Sequence, residues 1–94
     1  MNVHFSSKTD EWMTPRGLFL SLNKEFKLER DVCATMENTQ LPRFWHKSND
    51  GLKQNWKGLR CWMNPPYGGH TGKWIKKAYE ESCKGNTVVC LIVS

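Results

Sequence analysis

No stretch of this 94-residue sequence approaches the ~20 consecutive apolar residues that a membrane span requires. The N-terminus, "MNVHFSSKTDEW", has no apolar core of the kind that makes a signal peptide. No CxxC pair is present: Cys33, Cys61, Cys83 and Cys90 lie far apart, which argues against both a zinc site and a disulfide framework. Three of the four lie in apolar segments and read as small buried hydrophobes. There is no internal repeat and no low-complexity tract. His4, His46 and His70 fall into no catalytic spacing, and no metal is expected. One small domain over residues 1–94 is expected, reduced and intracellular, with no membrane segment.

Two features stand out against these absences. Fourteen Lys and Arg face nine Asp and Glu, a net charge of +5 that favours a polyanionic partner without requiring one. Five tryptophans are many for this length. Tryptophan among basic residues serves a core or a base-stacking surface equally well, and composition does not separate the two.

The pattern along the chain is that of an α/β protein. "TPRGLFLSLNKEF" predicts a helix with Thr14 as N-cap, Pro15 at the first helical position, and Leu18, Phe19, Leu22 and Phe26 on its apolar face. "KLERDVCA" predicts a short strand ending near Cys33, and "ATMENTQL" a turn or short helix. "PRFWHKSNDGLKQNWKG" is rich in turn residues, with at most one short strand expected around Phe44 and Trp45. "LRCWM" reads as a strand, and "TGKWIKKAYEESCKG" as an amphipathic helix with Trp74, Ile75, Ala78 and Tyr79 inward and Gly85 as its stop. Lys73, Lys76 and Lys77 read as a solvated face of that helix. "NTVVCLIVS" is a continuous apolar run, as in a strand buried on both faces. Strand, helix and strand in this order make a βαβ unit with parallel strands. Ligands of such sheets bind beyond the carboxyl ends of the strands, which puts Asp31 and the segment 64–69 on one rim.

"NPPY" at Asn64, Pro65, Pro66 and Tyr67 sits on that rim. Proline offers a carbonyl, no N–H and a fixed φ. The Asn64 side-chain oxygen and the Pro65 carbonyl are therefore candidate acceptors on a stiff support. Two convergent acceptors suit a nitrogen bearing two hydrogens, such as the exocyclic amine of adenine or cytosine. Holding both hydrogens makes that nitrogen more tetrahedral and returns its lone pair for attack. Tyr67 could stack on the base, a contact worth about 1–3 kcal/mol. A plain Pro-Pro turn, or an NPxY signal for an adaptor domain, are the competing readings.

The segments "SSKTDEWMTPRGLF", "RDVCATMENT", "PRFW", "NDGLKQNW", "CWMNPPYG" and "GKWIKKAYEE", in this order, resemble the phage-type DNA N6-adenine methyltransferases. The resemblance covers nearly the whole chain from Ser6. It implies a partial Rossmann-like methyltransferase fold with a mostly parallel sheet and flanking helices. It implies S-adenosylmethionine as cofactor, DNA as partner, a flipped-out adenine as the methyl acceptor, and the cytoplasm of a bacterial host as the setting. It also implies site roles. Asn64, Pro65, Pro66 and Tyr67 would be catalytic. Asp31, Cys33 and Ala34 of "DVCA" would meet the methionine or ribose part of the cofactor, and Asp50 its adenine amine. Trp12, Thr14 and Pro15 would belong to the segment that packs over the methionine end.

The sequence departs from the family pattern in two places. "DVCATMEN" stands where methyltransferases in general have a glycine-rich loop, and the sequence stops at Ser94, where family members continue for further strands and helices. A C-terminally shortened domain is expected. It is either an enzyme or a non-catalytic relative that binds nucleic acid or a partner protein. In such a domain the strand at 87–93 would lie at a sheet edge, with neither proline nor charge to protect it. Self-association, or pairing with another chain, is expected through that strand.

Overall fold

The computed structural model describes residues 2–7, 15–66 and 68–92, with the backbone alone for 2–7. Four strands, β1 (Asn2–Ser7), β2 (Arg30–Asp31), β3 (Arg60–Met63) and β4 (Thr87–Ile92), form one sheet in the order β1-β4-β3-β2. Every pairing is parallel. Two helices, α1 (Arg16–Phe26) and α2 (Thr71–Cys83), pack on opposite faces of the sheet. This is the expected α/β class, a partial Rossmann-like fold, and β3-α2-β4 is the βαβ unit read from the sequence.

The alternation of side chains along a strand divides the core into two layers. Val88 and Cys90 of β4, with Cys61 and Met63 of β3, pack against Trp74 and Ala78 of α2. Val89 and Leu91, with Trp62, pack against Phe19 of α1 and against Leu28 and Leu41. A strand that must be apolar on both faces reads as an unbroken apolar run, which is why β4 has no polar alternation.

Beta-4 does not lie at an edge. Strand β1 pairs along its full length, from Asn2 opposite Thr87 to Ser7 opposite Ile92, and β3 takes the other side. The backbone groups expected to recruit another chain are used within the sheet, so the basis for self-association through β4 falls away. The sequence reading passed over β1 because "NVHFSS" is short, polar and without bounding turn residues.

Three smaller differences have local causes. Helix α1 begins at Arg16, and Pro15 lies before it as the N-cap, its carbonyl accepting the Phe19 N–H at 3.2 Å. The burial face of α2 is Trp74, Ala78, Glu81 and Ser82, while Tyr79 is 55% exposed. The face turns toward Glu81 because that buried carboxylate anchors a network. It accepts from Lys77 Nζ at 3.0 Å, Lys84 Nζ at 3.1 Å and Asn86 Nδ2 at 3.1 Å. Burial acts to raise the Glu81 carboxyl, but the two ammoniums outweigh it and hold it below the usual carboxylate range. Lys77 is accordingly no part of a solvated face, and its Nζ also donates to the Gln54 carbonyl at 2.8 Å. Gly85 ends α2 as expected, with φ +94°, a left-handed conformation that costs glycine little. Among the described residues no helix is long and apolar enough to cross a membrane, and no three His, Cys, Asp or Glu are grouped to hold a metal.

Candidate active site

Parallel strands deliver their following loops to one side of the sheet. The loop after β2 and the loop after β3 leave next to each other there, because Asp31 is the register partner of Trp62. Between them opens a cavity of about 970 Å³. Asp31, Cys33, Ala34, Asp50, Asn64, Pro65 and Pro66 all line it. Seven of the residues singled out in the sequence therefore share one wall system. Pro15 caps α1 and is not among the lining residues, and Trp12, Thr14 and Tyr67 lie outside the described residues.

Asp31 ends β2 with only 2% of its surface exposed. Its Oδ1 accepts from the Cys33 N–H at 3.3 Å and its Oδ2 from the Gln40 N–H at 3.1 Å, so it ties both ends of the 33–40 loop. Within that loop Thr35 and Asn38 cap each other: the Thr35 N–H donates to Asn38 Oδ1 at 2.7 Å and the Asn38 N–H to Thr35 Oγ1 at 3.2 Å. Side-chain oxygens thus order this turn, which has no glycine. Burial pushes the Asp31 carboxyl up to about 7 despite these donors. The Cys33 thiol is pushed up to about 12, by burial first and by Asp31 second, and so stays protonated.

On the outer side of β2 the backbone pairs with 43–45. Asp31 N–H donates to the Arg43 carbonyl and Trp45 N–H to the Asp31 carbonyl, each at 2.9 Å, around a parallel bridge to Phe44. Where the sequence allowed at most one short strand, the structure has this single bridge and no strand. The bridge carries Trp45 to the cavity wall, where the Arg30 guanidinium covers one face of its ring at 4.6 Å.

Asp50 precedes a short 3-10 turn, Gly51–Lys53, and caps it by accepting the Leu52 N–H at 3.2 Å. Its backbone is left-handed, φ 53°, a conformation aspartate tolerates better than most residues. Gly51 lies against the carbonyl of Val32, and its own carbonyl accepts the Trp56 indole N–H at 2.8 Å. "NDGLKQNW" is thereby explained residue by residue: Asp50 caps, Gly51 allows close approach, and Trp56 bolts the turn to the core. Lys77 adds a second bolt through the Gln54 carbonyl.

After β3 the chain turns through Asn64, half-buried, Pro65, buried, and Pro66, exposed. Thr71 Oγ1, at the start of α2, donates to the Pro66 carbonyl at 2.7 Å and fixes the loop to the helix. The outer rim of the cavity carries two lysines, Lys47 and Lys73, beside His46 and His70, and all four are exposed. The acids lie deeper. The sequence reading passed over this ring, because its members are dispersed along the chain and only the fold gathers them. It also left the tryptophans undivided. Trp56, Trp62 and Trp74 are core residues, the last two with a face on the cavity, and Trp45 is half-buried in its wall.

A parallel sheet between helices, with a cavity beyond its carboxyl ends, defines a partial Rossmann-like fold. Residues 3–94 match the family model described as "DNA N-6-adenine-methyltransferase (Dam)", and the chain belongs to this family. A curated relative, the "DNA N-6-adenine-methyltransferase" of Haemophilus phage HP1 (strain HP1c1), is 31% identical over 90 residues. That match covers 94% of this chain and 51% of the relative, so the chain spans about half the relative's length. No solved structure matches.

Proposed function

We propose that this chain forms the cofactor- and amine-binding face of a DNA adenine methyltransferase that uses S-adenosylmethionine. The observation that carries the reading is the convergence of Asp31, Asp50, Asn64 and Pro65 on one cavity. Its volume of about 970 Å³ suits a ligand of the cofactor's size. The donor set suits it too, since a buried acid raised to about 7 is relieved by a neighbouring cation. S-Adenosylmethionine supplies an electrophilic methyl group on a sulfonium.

Asp31 holds the cationic end of the cofactor, and Asp50 accepts from its adenine amine. Asn64 and the Pro65 carbonyl accept the two hydrogens of the target adenine's exocyclic amine. This directs the nitrogen lone pair at the methyl carbon. With the cofactor bound, that nitrogen would take the methyl carbon while the S–C electron pair stayed with sulfur, and the amine would then release one proton to water. Proline at 65 and 66 supports this arrangement because its φ does not relax. Tyr67 stacks on the extruded base. The exposed Lys47 and Lys73 at the mouth favour a polyanion, consistent with DNA phosphates passing over the rim.

The test is methyl transfer by the full-length protein, from isotopically labelled S-adenosylmethionine to double-stranded DNA, with digestion to nucleosides. Label in N6-methyl-2′-deoxyadenosine is the expected result. A folded protein that leaves every base unlabelled contradicts the proposal.

A further inference from the structure

Gln40, where the 33–40 loop returns, is gripped by two elements at once. Its N–H donates to Asp31 Oδ2 at 3.1 Å. Its backbone carbonyl and its side-chain Oε1 both accept from Arg16 Nη1, at 3.0 Å and 2.7 Å. Arg16 stands 24 residues earlier, at the first position of α1. Its guanidinium lies over the Phe19 ring, 5.2 Å from the centroid, and Phe19 meets Trp62 edge-on at 5.1 Å. The arginine is exposed, but these three contacts fix its head. A planar guanidinium also loses less freedom per hydrogen bond than an ammonium.

The consequence falls on Asp31. Burial drives its carboxyl up, and the strongest of the groups that oppose this is the Gln40 N–H, ahead of the Cys33 N–H and the Thr39 hydroxyl. A residue held at both its own N–H and its own carbonyl has little freedom in φ and ψ. Arg16 therefore sets the direction from which Gln40 donates. The loop fixed in this way contributes Thr35 and Asn38 to the cavity wall.

We propose that Arg16 is a positioning residue for the cavity: through Gln40 it holds the 33–40 loop on Asp31 and fixes the direction of the carboxylate. The inference rests on the cofactor reading above for its consequence in binding, whereas the clamp itself belongs to the ligand-free chain. An exposed residue of α1 thereby shapes a buried site.

The experiment follows the Asp31 carboxyl by ¹³C NMR through a pH titration of the ligand-free chain, unsubstituted and as Arg16→Met and Gln40→Leu. Methionine keeps a stem against Phe19 and deletes the donor. Leucine deletes the side-chain acceptor and leaves the carbonyl. Arg16→Met is expected to raise the Asp31 midpoint by about half a pH unit or more, and Gln40→Leu to raise it less. The other ionisable groups lining the cavity, Cys33, His46, Lys47, Asp50, His70 and Lys73, are the same in all three chains. Loss of an exposed charge would by itself raise the midpoint, but salt at about 1 M screens that effect. An upward shift that persists in high salt supports the clamp. An unmoved midpoint, or a shift abolished by salt, overturns it. Calorimetry with S-adenosylmethionine then reads the consequence, with binding to Arg16→Met expected to weaken by about three-fold or more. Binding weakened in Asp31→Asn but unchanged in Arg16→Met overturns the positioning role. A persistent midpoint shift beside cofactor binding indifferent to both substitutions supports the clamp and contradicts the cofactor reading of Asp31.

Discussion

A Cβ atom at Gly51 would stand 2.1 Å from the carbonyl oxygen of Val32 and 3.0 Å from the Trp74 ring. The backbone of the Asp50 turn therefore rests directly on the residue after Asp31. The two acids of the cavity are set by one contact between main chains. Gly51→Ala should force these segments apart, because a backbone oxygen cannot swing aside as a side chain does. Overpacking of this kind costs about 1–3 kcal/mol, and more where backbone must move. Thermal unfolding should show a clear drop in midpoint, with a matching loss of ligand affinity. An unchanged midpoint would mean that the turn does not rest on Val32.

Asp31 makes stability depend on pH with a definite sign. Its carboxyl rises from 3.8 to about 7 on folding, so between these values the folded chain keeps a proton that the unfolded chain has lost. Stability should then fall as pH rises through this window, by up to about 1.4 kcal/mol per unit. Denaturant unfolding at about pH 5 and about pH 7 should show the decline in the native chain and a smaller one in Asp31→Asn. Parallel curves for the two proteins would remove the buried-acid argument.

Asn64→Ala separates binding from chemistry. In the full-length protein, loss of one of two directed acceptors should cut turnover by at least ~10²-fold, comparable to losing a donor at a reacting centre. Cofactor affinity should stay nearly the same. Steady-state rates at saturating cofactor give the first quantity and calorimetry the second. Equal turnover in the variant would reduce the Asn-Pro-Pro segment to a turn.

Lys77 ties α2 to the turn that carries Asp50, through Gln54 and Glu81. Lys77→Met keeps the stem and removes the charge. Glu81 retains Lys84 and Asn86, so the loss should be moderate, about 1–3 kcal/mol. Because the pair is largely buried, urea unfolding at low and high salt should give the same difference. A difference that vanishes in salt would describe an exposed pair instead.

The readable parts of this fold were those where one residue type has one physical use. The unbroken apolar run of β4, the glycine stop of α2 and the Asn-Pro-Pro segment at a strand end belong to this group. The misplaced parts depended on partners distant in sequence. Beta-4 reads as an edge until Asn2–Ser7 is seen beside it. Tyr79 reads as inward until Glu81 is found to need the core side of the helix. Asp31 and Asp50 were legible as strand-end and turn acids, but their mechanical link through Gly51 and Val32 was not. Trp62 was one of five tryptophans until the fold packed it edge-on against Phe19 in the core.

The central claim is that Asp31 and Asp50 line a cofactor site, and calorimetry with S-adenosylmethionine tests it most directly. A folded sample of the chain should give a saturable titration with one ligand per chain, and Asp31→Asn and Asp50→Ala should each weaken it. A flat titration at millimolar cofactor, from a sample whose sheet and helices are intact by circular dichroism, would contradict the account.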